Sequence, residues 1–464
     1  MGLLISISGA SGVGKTTLAK LISYLYTESE CLVISGDSFH RWERADKRWD
    51  SFTHFNPIAN DLDSALSKIK ILKNGGSVPI CEYNHATGKF NKPEIKEGRQ
   101  IIIYEGLHAL YGDIVDISDV KIFVDTNEEL NSQWKLNRDI ACRGYTIQQA
   151  SSQISRRKKD KSTYIDIQKE SADIIVRFEK SKSEDINIQL NPKKHACTLS
   201  ASIKNVFNDI KDFLHLGAHL AGDISLIQGR GGNISVKSCG SVFVKSSGSK
   251  IGDATITTGI SVCESAEIGQ FANELSYRQA IANLTRSGER ASIESGFHIN
   301  FKEKFVVHTH PLYLNCLLCS TEGRSLLQSI FSDIDFSFIE YCAPGYELSN
   351  ALLSVESPVI FLENHGLIVR YHDYKEAIRI TELINNRCKN WLESNKDLFI
   401  SRPNLNSGVV LFPDAVVFSS ELKFVSEFML GVMSKCGLHP KWINQDEVLK
   451  LQDMESEKYR REIA

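Results

Sequence analysis

The feature that most constrains this chain lies at its start, in the segment LLISISGASGVGKTTLAKLISYLY. An apolar strand pattern is followed there by a glycine-rich turn and then by an amphipathic helix pattern. Gly9, Gly14, Lys15 and Thr16 fit the spacing GxxxxGK[ST] in full. Glycines let the backbone curl so that its N–H groups point at phosphate oxygens, and the helix N-terminus adds a partial positive charge. The segment therefore predicts a nucleotide-binding P-loop in a parallel-sheet domain.

Two side chains of this loop have predictable roles. Lys15 is expected to neutralise the β- and γ-phosphates, and the Thr16 hydroxyl is expected to bind Mg²⁺. ATP and Mg²⁺ are therefore the expected cofactors, although a P-loop alone does not identify the reaction. The residues predicted to bind the nucleotide are Gly9, Ser11, Gly12, Val13, Gly14, Lys15, Thr16 and Thr17.

Two further apolar runs end in acidic residues. CLVISGDSFHRW places Asp37 after a second strand, and RQIIIYEGLHALY places Glu105 at the end of a third. Strand ends in an open parallel sheet face the ligand crevice. Asp37 is thus a candidate base for an attacking hydroxyl, and Glu105 a candidate to hold Mg²⁺ and its waters. A helix cap for Asp37 and a solvated strand end for Glu105 are the alternatives.

These segments together resemble the phosphoribulokinase/uridine kinase family over roughly residues 1 to 195. The resemblance is carried by GDSFHR, FTHFNPIANDLDSAL, YNHATGKFNKP, YEGLHALY, WKLNRDIACRGYT and RKKDKSTYIDIQKESADIIVRF, in the family's order. GDSFHR and THFNPIAN are nearer to the phosphoribulokinase branch. The resemblance implies transfer of phosphate from ATP to a primary hydroxyl of a sugar phosphate, a nucleoside or a related polyol.

Residue roles follow from the same resemblance. It implies Asp37 as the base that activates the acceptor hydroxyl and Glu105 as the Mg²⁺ acid. Arg138 and Arg143 resemble mobile-lid arginines that meet the transferred phosphate, with a solvated helix face as the alternative. The residues implied to bind the acceptor are His40, Arg41, Tyr83 and His85.

The chain has 464 residues, too many for one hydrophobic core, so at least two domains are expected. A polar stretch, EKSKSEDINIQLNPKKHACTLS, follows the kinase-like region and contains the alternating piece INIQL, which predicts an edge strand. We place a linker near residues 193 to 203. The predicted domains are therefore 1–200, a P-loop kinase, and 201–464.

Histidines follow buried strands in the second half of the chain. FVVHTHPLY carries His308 and His310 two positions apart, so on a strand both imidazoles face one side. VIFLENHGLIV reads as another apolar strand that ends in His365, and Glu294 lies 14 residues before His308. Three imidazoles can hold a metal with one open coordination position, and a nearby carboxylate can move a proton. This is the equipment for forming an enediolate; ordinary strand capping by polar residues is the alternative.

A glycine- and serine-rich segment, SLIQGRGGNISVKSCGSVFVKSSGSKIGD, alternates turns with two strands. Its exposed N–H groups and hydroxyls around Asn233, Ser246 and Ser247 suit a phosphate monoester. An ordinary hairpin is the alternative.

GGNISVK, VKSSGS, SIE, HTHP and NHGLIV together resemble the class II aldolase/adducin family over roughly residues 205 to 460. The nearest likeness is to the rhamnulose-phosphate and fuculose-phosphate aldolase branch. The resemblance implies an α/β domain with a central, largely antiparallel sheet, and a divalent metal, usually Zn²⁺. It implies Glu294 as the acid/base. The implied metal ligands are His308, His310 and His365, and the implied phosphate ligands are Asn233, Ser247, Gly248 and Ser292.

The chain departs from that branch at one position. Fuculose-phosphate aldolases carry two serines before the glutamate, whereas here the second is Ile293. The tyrosine that protonates the leaving aldehyde in that branch cannot be placed from sequence. Its candidates are Tyr313, Tyr341 and Tyr346.

The two resemblances together predict a bifunctional enzyme, an ATP-dependent sugar kinase joined to a metal-dependent phospho-sugar aldolase. A decarboxylase or epimerase in the second domain is one alternative, because that family also runs those reactions. A non-catalytic adducin-like assembly module is the other. The aldolase family forms tetramers with sites between subunits, so the resemblance also implies a homo-oligomer.

Composition excludes several partners. The net charge is about −3, without the basic excess that nucleic-acid binding needs, and no 18-residue apolar run predicts a membrane span. Eleven scattered cysteines predict free thiols and a cytoplasmic location. Cys316 and Cys319 lie in the apolar run LYLNCLLCS, which predicts a core helix and not a metal site. The start MGLLIS fits a myristoylation pattern, but it is assigned to the first strand.

Overall fold

The structure is a computed structural model, and it describes residues 2–143, 146–180, 186–192, 197–396, 410–417 and 422–462. The chain divides into two compact units, Met1–Val206 and Phe207–Ala464. Helix α6 (Cys197–Ala221) runs through this boundary, so the domain boundary placed at residues 200 and 201 stays a prediction. Among the described residues, no helix combines the length and apolarity needed to cross a bilayer.

The first unit has ten described strands and five α-helices before α6. The strands are β1 (Leu3–Gly9), β2 (Cys31–Ser35), β3 (Ser77–Ile80), β4 (Tyr83–Asn84), β5 (Lys89–Phe90), β6 (Glu94–Glu97), β7 (Ile101–Glu105), β8 (Val120–Thr126), β9 (Ile174–Lys180) and β10 (Ile186–Pro192). The helices are α1 (Lys15–Ser23), α2 (Leu62–Lys73), α3 (Ile114–Ile117), α4 (Glu128–Arg143) and α5 (Ile147–Asp160).

Six of these strands form one sheet in the order β10-β9-β8-β1-β7-β2. Its strands pair in parallel except β10, which runs antiparallel to β9 at the edge. The predicted edge strand INIQL is thereby confirmed. β1 is buried at every position after Leu3, as expected of a central strand covered on both faces. Parallel pairing brings the carboxyl ends of β1, β2 and β7 to the same edge.

Apolar packing on this sheet positions the site above it. Leu4, Ile34 and Ile102 from three neighbouring strands pack with Ile69 and Leu72 of α2 in one buried cluster. Burying an aliphatic side chain contributes about 1.5–3 kcal/mol. The strands that carry the predicted site residues are therefore held by a continuous core.

The second unit contains most of α6 (Cys197–Ala221), then eight strands and ten further helices that are described. The strands are β11 (Asn233–Ser238), β12 (Ser241–Lys245), β13 (Ile260–Glu264), β14 (Thr285–Gly288), β15 (Phe305–Thr309), β16 (Phe336–Ile339), β17 (Val359–Leu362) and β18 (Gly366–Tyr371). The helices are α7 (Glu274–Leu284), α8 (Ser295–Asn300), α9 (Leu312–Leu318), α10 (Gly323–Ile330), α11 (Tyr346–Ala351), α12 (Tyr374–Ser394), α13 (Asp414–Val417), α14 (Lys423–Lys435), α15 (Gln445–Asp453) and α16 (Glu455–Glu462).

All eight strands form one sheet in the order β14-β13-β12-β11-β15-β18-β17-β16. Every neighbouring pair is antiparallel except β16 and β17. The predicted fold class, a parallel-sheet P-loop unit followed by an α/β unit with a largely antiparallel sheet, is confirmed. β15 lies between β11 and β18 and is buried along its whole length. Cys316 in α9 and Cys319 at its end are fully buried, which confirms the predicted core helix.

Candidate functional site

The P-loop connects β1 to α1 through glycines at positions where a side chain would be strained or would clash. Gly12 and Gly14 adopt φ values of 85° and 95°, in the left-handed region that favours glycine. A Cβ at Gly9 would lie 2.3 Å from the Val124 carbonyl oxygen of β8. The loop therefore combines positive φ angles with close backbone packing, as in glycine-rich loops that direct backbone N–H groups at phosphate oxygens.

Three side chains around this loop suit a nucleotide and its cation. Lys15 is buried and its Nζ donates to the Ala10 carbonyl at 2.9 Å. The hydroxyls of Thr16 and Ser35 donate to Glu105 Oε1 at 3.2 and 3.3 Å. Burial raises the pKa of Glu105, and the nearby Lys15 opposes that shift. Thr16 and Glu105 thus present adjacent oxygens, the donors that Mg²⁺ prefers.

Asp37 follows β2 and is bracketed by two histidines. Its Oδ1 lies 3.2 Å from His40 Nε2, and its Oδ2 lies 2.9 Å from His85 Nε2. Burial would raise the pKa of Asp37, but His40 and His85 more than offset burial and hold that pKa well below its ordinary value. Asp37 is therefore ionised at neutral pH and can accept a proton.

Aromatic rings surround His40. Tyr83 lies 5.4 Å from it between ring centroids, and His54 lies 4.9 Å from it. Trp49 stacks on His54 with centroids 3.8 Å apart. Sequence reasoning missed His54 and Trp49, and their spacing gave no signal, because the loop that follows Asp37 brings them back toward His40.

The other predicted acceptor and lid residues have different outcomes. Arg41 is an exposed side chain whose Nη2 lies 3.6 Å from Asp61 Oδ1, at an ordinary surface pair. The backbone of α4 carries Arg138 and Arg143, but the side chains of these two arginines lie outside the described residues. Their assignment to the transferred phosphate stays a prediction.

In the second unit, three imidazoles meet at the ends of two neighbouring strands. One ring nitrogen from each of His308, His310 and His365 lies within 4.8 Å of the others, and all three side chains are buried. His308 belongs to β15 and His310 follows it. His365 does not end a strand as expected; it lies in the tight turn between the antiparallel strands β17 and β18. The turn has the same effect, because it returns the chain beside β15.

A hydrogen bond at the outer nitrogen of His308 orients the first of these rings. His308 Nδ1 lies 3.0 Å from the Leu367 carbonyl, which can only accept, so Nδ1 carries a hydrogen and Nε2 offers the lone pair when the ring is neutral. The Nε2 atoms of His308 and His310 are 3.1 Å apart. Two nitrogens on one tetrahedral zinc ion lie about 3.3 Å apart. The donor set therefore fits a divalent metal.

Glu294, which precedes α8, lies against two of these rings. Its Oε1 is 3.4 Å from His308 Nε2 and 3.4 Å from His365 Nε2. Burial would raise the pKa of Glu294, but His308 and His365 hold it well below the ordinary value. A carboxylate in this position can exchange protons with a molecule bound beside the imidazoles.

A cavity opens beside these residues. Ser247, Gly248 and Ser292, which were predicted to hold a phosphate, line it. Asn233 is buried instead at the start of β11, paired in register with His308, and does not line the cavity. The candidate tyrosines, Tyr313, Tyr341 and Tyr346, are not among the described lining residues either.

Sequence reasoning missed four charged residues that line this cavity: Arg230, Lys245, Asp414 and Arg460. Lys245 ends β12, and its Nζ donates to the Ser249 carbonyl at 2.8 Å. Burial lowers the pKa of Lys245 to about 7, and the charge of Arg460 acts in the same direction. Arg230 Nη1 donates to the Gly248 carbonyl at 2.9 Å. The positive charges of Arg230 and Lys245 suit an anionic group of a substrate.

Comparison with known proteins agrees with both halves. Residues 4–184 match the Phosphoribulokinase / Uridine kinase family, and residues 211–392 match the Class II Aldolase and Adducin N-terminal domain. Phosphoribulokinase of Synechocystis sp. is 36% identical over 176 residues, 38% of this chain and 53% of that protein. Uridine kinase of Listeria innocua is 31% identical over 181 residues, 38% of this chain and 86% of that protein.

This chain spans about half the length of the phosphoribulokinases that it matches, 53% and 49% for two of them. One solved structure similar to the second unit is the N-terminal class II aldolase domain of a conserved protein from Thermoplasma acidophilum. It has a TM-score of 0.36 and 22% identity, and the match covers 40% of this chain and 93% of that one. The chain therefore belongs to the phosphoribulokinase/uridine kinase family through its first unit, to which a class II aldolase/adducin domain is joined.

Proposed function

We propose that this chain is a bifunctional enzyme that phosphorylates a sugar or polyol with ATP and cleaves or condenses a phosphorylated sugar at a divalent metal. The observation that carries the proposal is the meeting of three imidazoles with Glu294, beside a cavity rich in cations, on a chain that also has a P-loop. Each site has both a binding element and a proton acceptor, so each is equipped for chemistry.

In the first site, Asp37 accepts the proton of the acceptor hydroxyl as that oxygen attacks the γ-phosphate. The two histidines beside Asp37 orient both oxygens of its carboxylate. Lys15 offsets the charge of the phosphates. Thr16 and Glu105 would hold Mg²⁺, which supplies charge neutralisation on the phosphates when it is bound.

The acceptor of the first site is a polyhydroxylated molecule. His40, His85 and Tyr83 surround Asp37 with groups that hydrogen-bond to hydroxyls. A sugar, a polyol or a sugar phosphate offers several hydroxyls at once. The primary hydroxyl beside Asp37 is then the one that receives phosphate.

In the second site, the three imidazoles would hold a divalent cation, for which we propose Zn²⁺. Such a cation supplies Lewis-acid polarisation of a substrate carbonyl. Glu294 takes or returns the proton of the reacting hydroxyl or carbon. Ser247, Gly248 and Ser292 bind the substrate phosphate, and Arg230 and Lys245 contribute positive charge to that subsite.

The two reactions form a sequence, because the first makes a phosphate ester and the second binds one. Joining both sites on one chain raises the effective concentration of the intermediate. The class of reaction that follows is a carbon–carbon bond cleavage or its reverse.

A screen of acceptors tests the proposal. The protein is supplied with ATP, Mg²⁺ and one member of a panel of pentoses, tetroses, deoxy sugars and nucleosides, and ADP formation is followed by mass spectrometry of the products. We expect a phosphorylated sugar that is converted to a triose phosphate and an aldehyde. Carbon dioxide indicates a decarboxylase, an isomeric sugar phosphate indicates an epimerase, and a stable phosphorylated sugar with no bound metal indicates an assembly module.

A further inference from the structure

A buried carboxylate connects one of the three imidazoles to the C-terminal helix. Asp414, the first residue of α13, places Oδ2 3.2 Å from His310 Nδ1. Its Oδ1 accepts from Arg460 Nη2 of α16 at 2.9 Å. One oxygen of the carboxylate is thus hydrogen-bonded to the guanidinium, and the other lies at ion-pair distance from the imidazole. Neither Asp414 nor Arg460 carries a role in the proposed reaction.

The chain is built to let this carboxylate approach the imidazole. A Cβ at Gly231 would lie 2.6 Å from Asp414 Oδ2 and 2.9 Å from His310 Nδ1. Contacts that short do not occur, so any larger residue at Gly231 would push the carboxylate and the ring apart. A third segment of the chain thus leaves space for the contact between Asp414 and His310.

The proximity of the Asp414 carboxylate favours one tautomer of the His310 ring. An ionised carboxylate only accepts, so Asp414 favours the proton on Nδ1 and leaves the lone pair on Nε2. That nitrogen is the one 3.1 Å from His308 Nε2. Carboxylates that hydrogen-bond to the outer nitrogen of a ligating histidine orient the ring and raise its basicity.

Arg460 stabilises the same arrangement from the other side. Asp414 is almost fully buried, and a buried carboxylate is costly unless it is paired. Two further arginines fix α16, because Arg278 pairs with Glu455 and Arg290 lies 4.2 Å over the Tyr459 ring.

We propose that Asp414 and Arg460 are positioning residues of the metal centre, through which the C-terminal helix α16 sets the affinity of the three imidazoles for a divalent cation. This inference rests on the proposed function, namely that His308, His310 and His365 bind such a cation. It adds two residues and one helix to the site. The metal centre is therefore complete only when α16 is in place.

Titration with Co²⁺ in excess Mg²⁺ tests the inference on the full chain, because visible absorption of bound Co²⁺ reports affinity without any substrate. Asp414→Asn keeps the size of the side chain and removes its charge, and we expect about 10- to 100-fold weaker binding. Arg460→Met is expected to weaken binding as well, and Arg460→Lys to restore most of it. Glu303→Gln is the matched control, since Glu303 pairs with Arg370 at 3.3 Å outside this site.

Each outcome decides one claim. If the wild-type protein binds no Co²⁺, the proposed metal function is wrong. If the wild type binds Co²⁺ and Asp414→Asn binds it equally tightly, the metal function stands and this inference is overturned. If circular dichroism shows that Asp414→Asn does not fold, the variants Arg460→Met and Arg460→Lys are used in its place. Affinities for Co²⁺ equal to that of the wild type in both variants overturn the inference.

Discussion

Lys245 shows how burial changes what a single side chain can do. It is almost fully buried at the end of β12, and burial lowers its pKa to about 7. Near neutral pH its charge is therefore only partly present. A phosphate dianion in the cavity interacts best with the charged form, so bound phosphate raises the pKa of Lys245.

The affinity of this site for phosphate is expected to fall as the pH rises. Affinity for phosphate is complete below the pKa of the free site, about 7, and falls as the pH rises through the pKa of the occupied site. We therefore expect competitive inhibition of the second activity by inorganic phosphate to weaken above that pH, by at most tenfold per unit. Lys245→Met should bind phosphate more weakly and without this dependence. A wild-type inhibition constant that stays flat across the range would contradict the assignment.

In the proposed kinase reaction, Asp37 accepts the proton of the acceptor hydroxyl. Asp37→Asn removes the proton acceptor and keeps the shape of the side chain, so we expect kcat for ADP formation to fall about 10²- to 10⁴-fold. Asp46→Asn serves as the control, because Asp46 pairs with Arg48 on the surface. Turnover of Asp37→Asn close to that of the wild type, measured with a coupled ADP assay, would rule out the role.

The site residues that sequence could predict are those with a motif or a strand beside them. Lys15, Glu105 and His308 all follow directly from an apolar run and a spacing rule. Asp414 and Arg460 follow from neither. Asp414 is an isolated acid in a short apolar helix, and Arg460 is one of several charged residues of α16. Only tertiary packing brings Asp414 to His310 and Arg460 to Asp414. Lys245 was missed because a lysine at the end of a strand is usually exposed.

The turn between β17 and β18 is the element on which the second site depends. VIFLENHGLIV predicts an apolar strand that ends in His365, but β17 ends at Leu362, Asn364 adopts φ 52° and the chain reverses there. The Asn364 amide donates to the Leu411 carbonyl at 2.8 Å, which fixes the turn. The sequence pattern alone predicted the apolar strand and the position of His365 beside a glycine. It did not predict that the chain reverses its direction there, because the reversal depends on packing against the neighbouring strand β15.

Substitution of Gly366 tests this element. A Cβ at Gly366 would lie 2.3 Å from the Thr309 carbonyl oxygen and 2.9 Å from His310 Cδ2. We expect Gly366→Ala to lower the free energy of unfolding of the second unit by about 1–3 kcal/mol and to weaken metal binding. Calorimetry of the full chain measures the first effect and Co²⁺ titration the second.

A matched control exists on α14. Among the described residues, and apart from the backbone of its own helix and its chain neighbours, no atom lies within 4 Å of the position where a Cβ of Gly431 would lie. Gly431→Ala should therefore leave stability unchanged or raise it by about 0.5–1 kcal/mol, as expected inside a helix. Equal melting behaviour of the Gly366 and Gly431 variants would show that the turn is not constrained by β15.

The whole molecule carries two compact units, each with its own sheet and its own candidate site. The separate cores explain why the sequence could be divided in two from its motifs alone. They also imply that damage to one site leaves the other intact. We propose that the phosphate installed by the first unit is the phosphate that the second unit binds.

A time course by mass spectrometry tests whether the two reactions occur in this order. The protein is supplied with ATP, Mg²⁺, a divalent metal and the sugar found by screening. We predict that Glu294→Gln accumulates the phosphorylated sugar intact, that Lys15→Met leaves the sugar unchanged, and that mixing the two variants restores cleavage. Cleavage fragments from Lys15→Met alone, without prior phosphorylation, or from Glu294→Gln alone, would contradict the account.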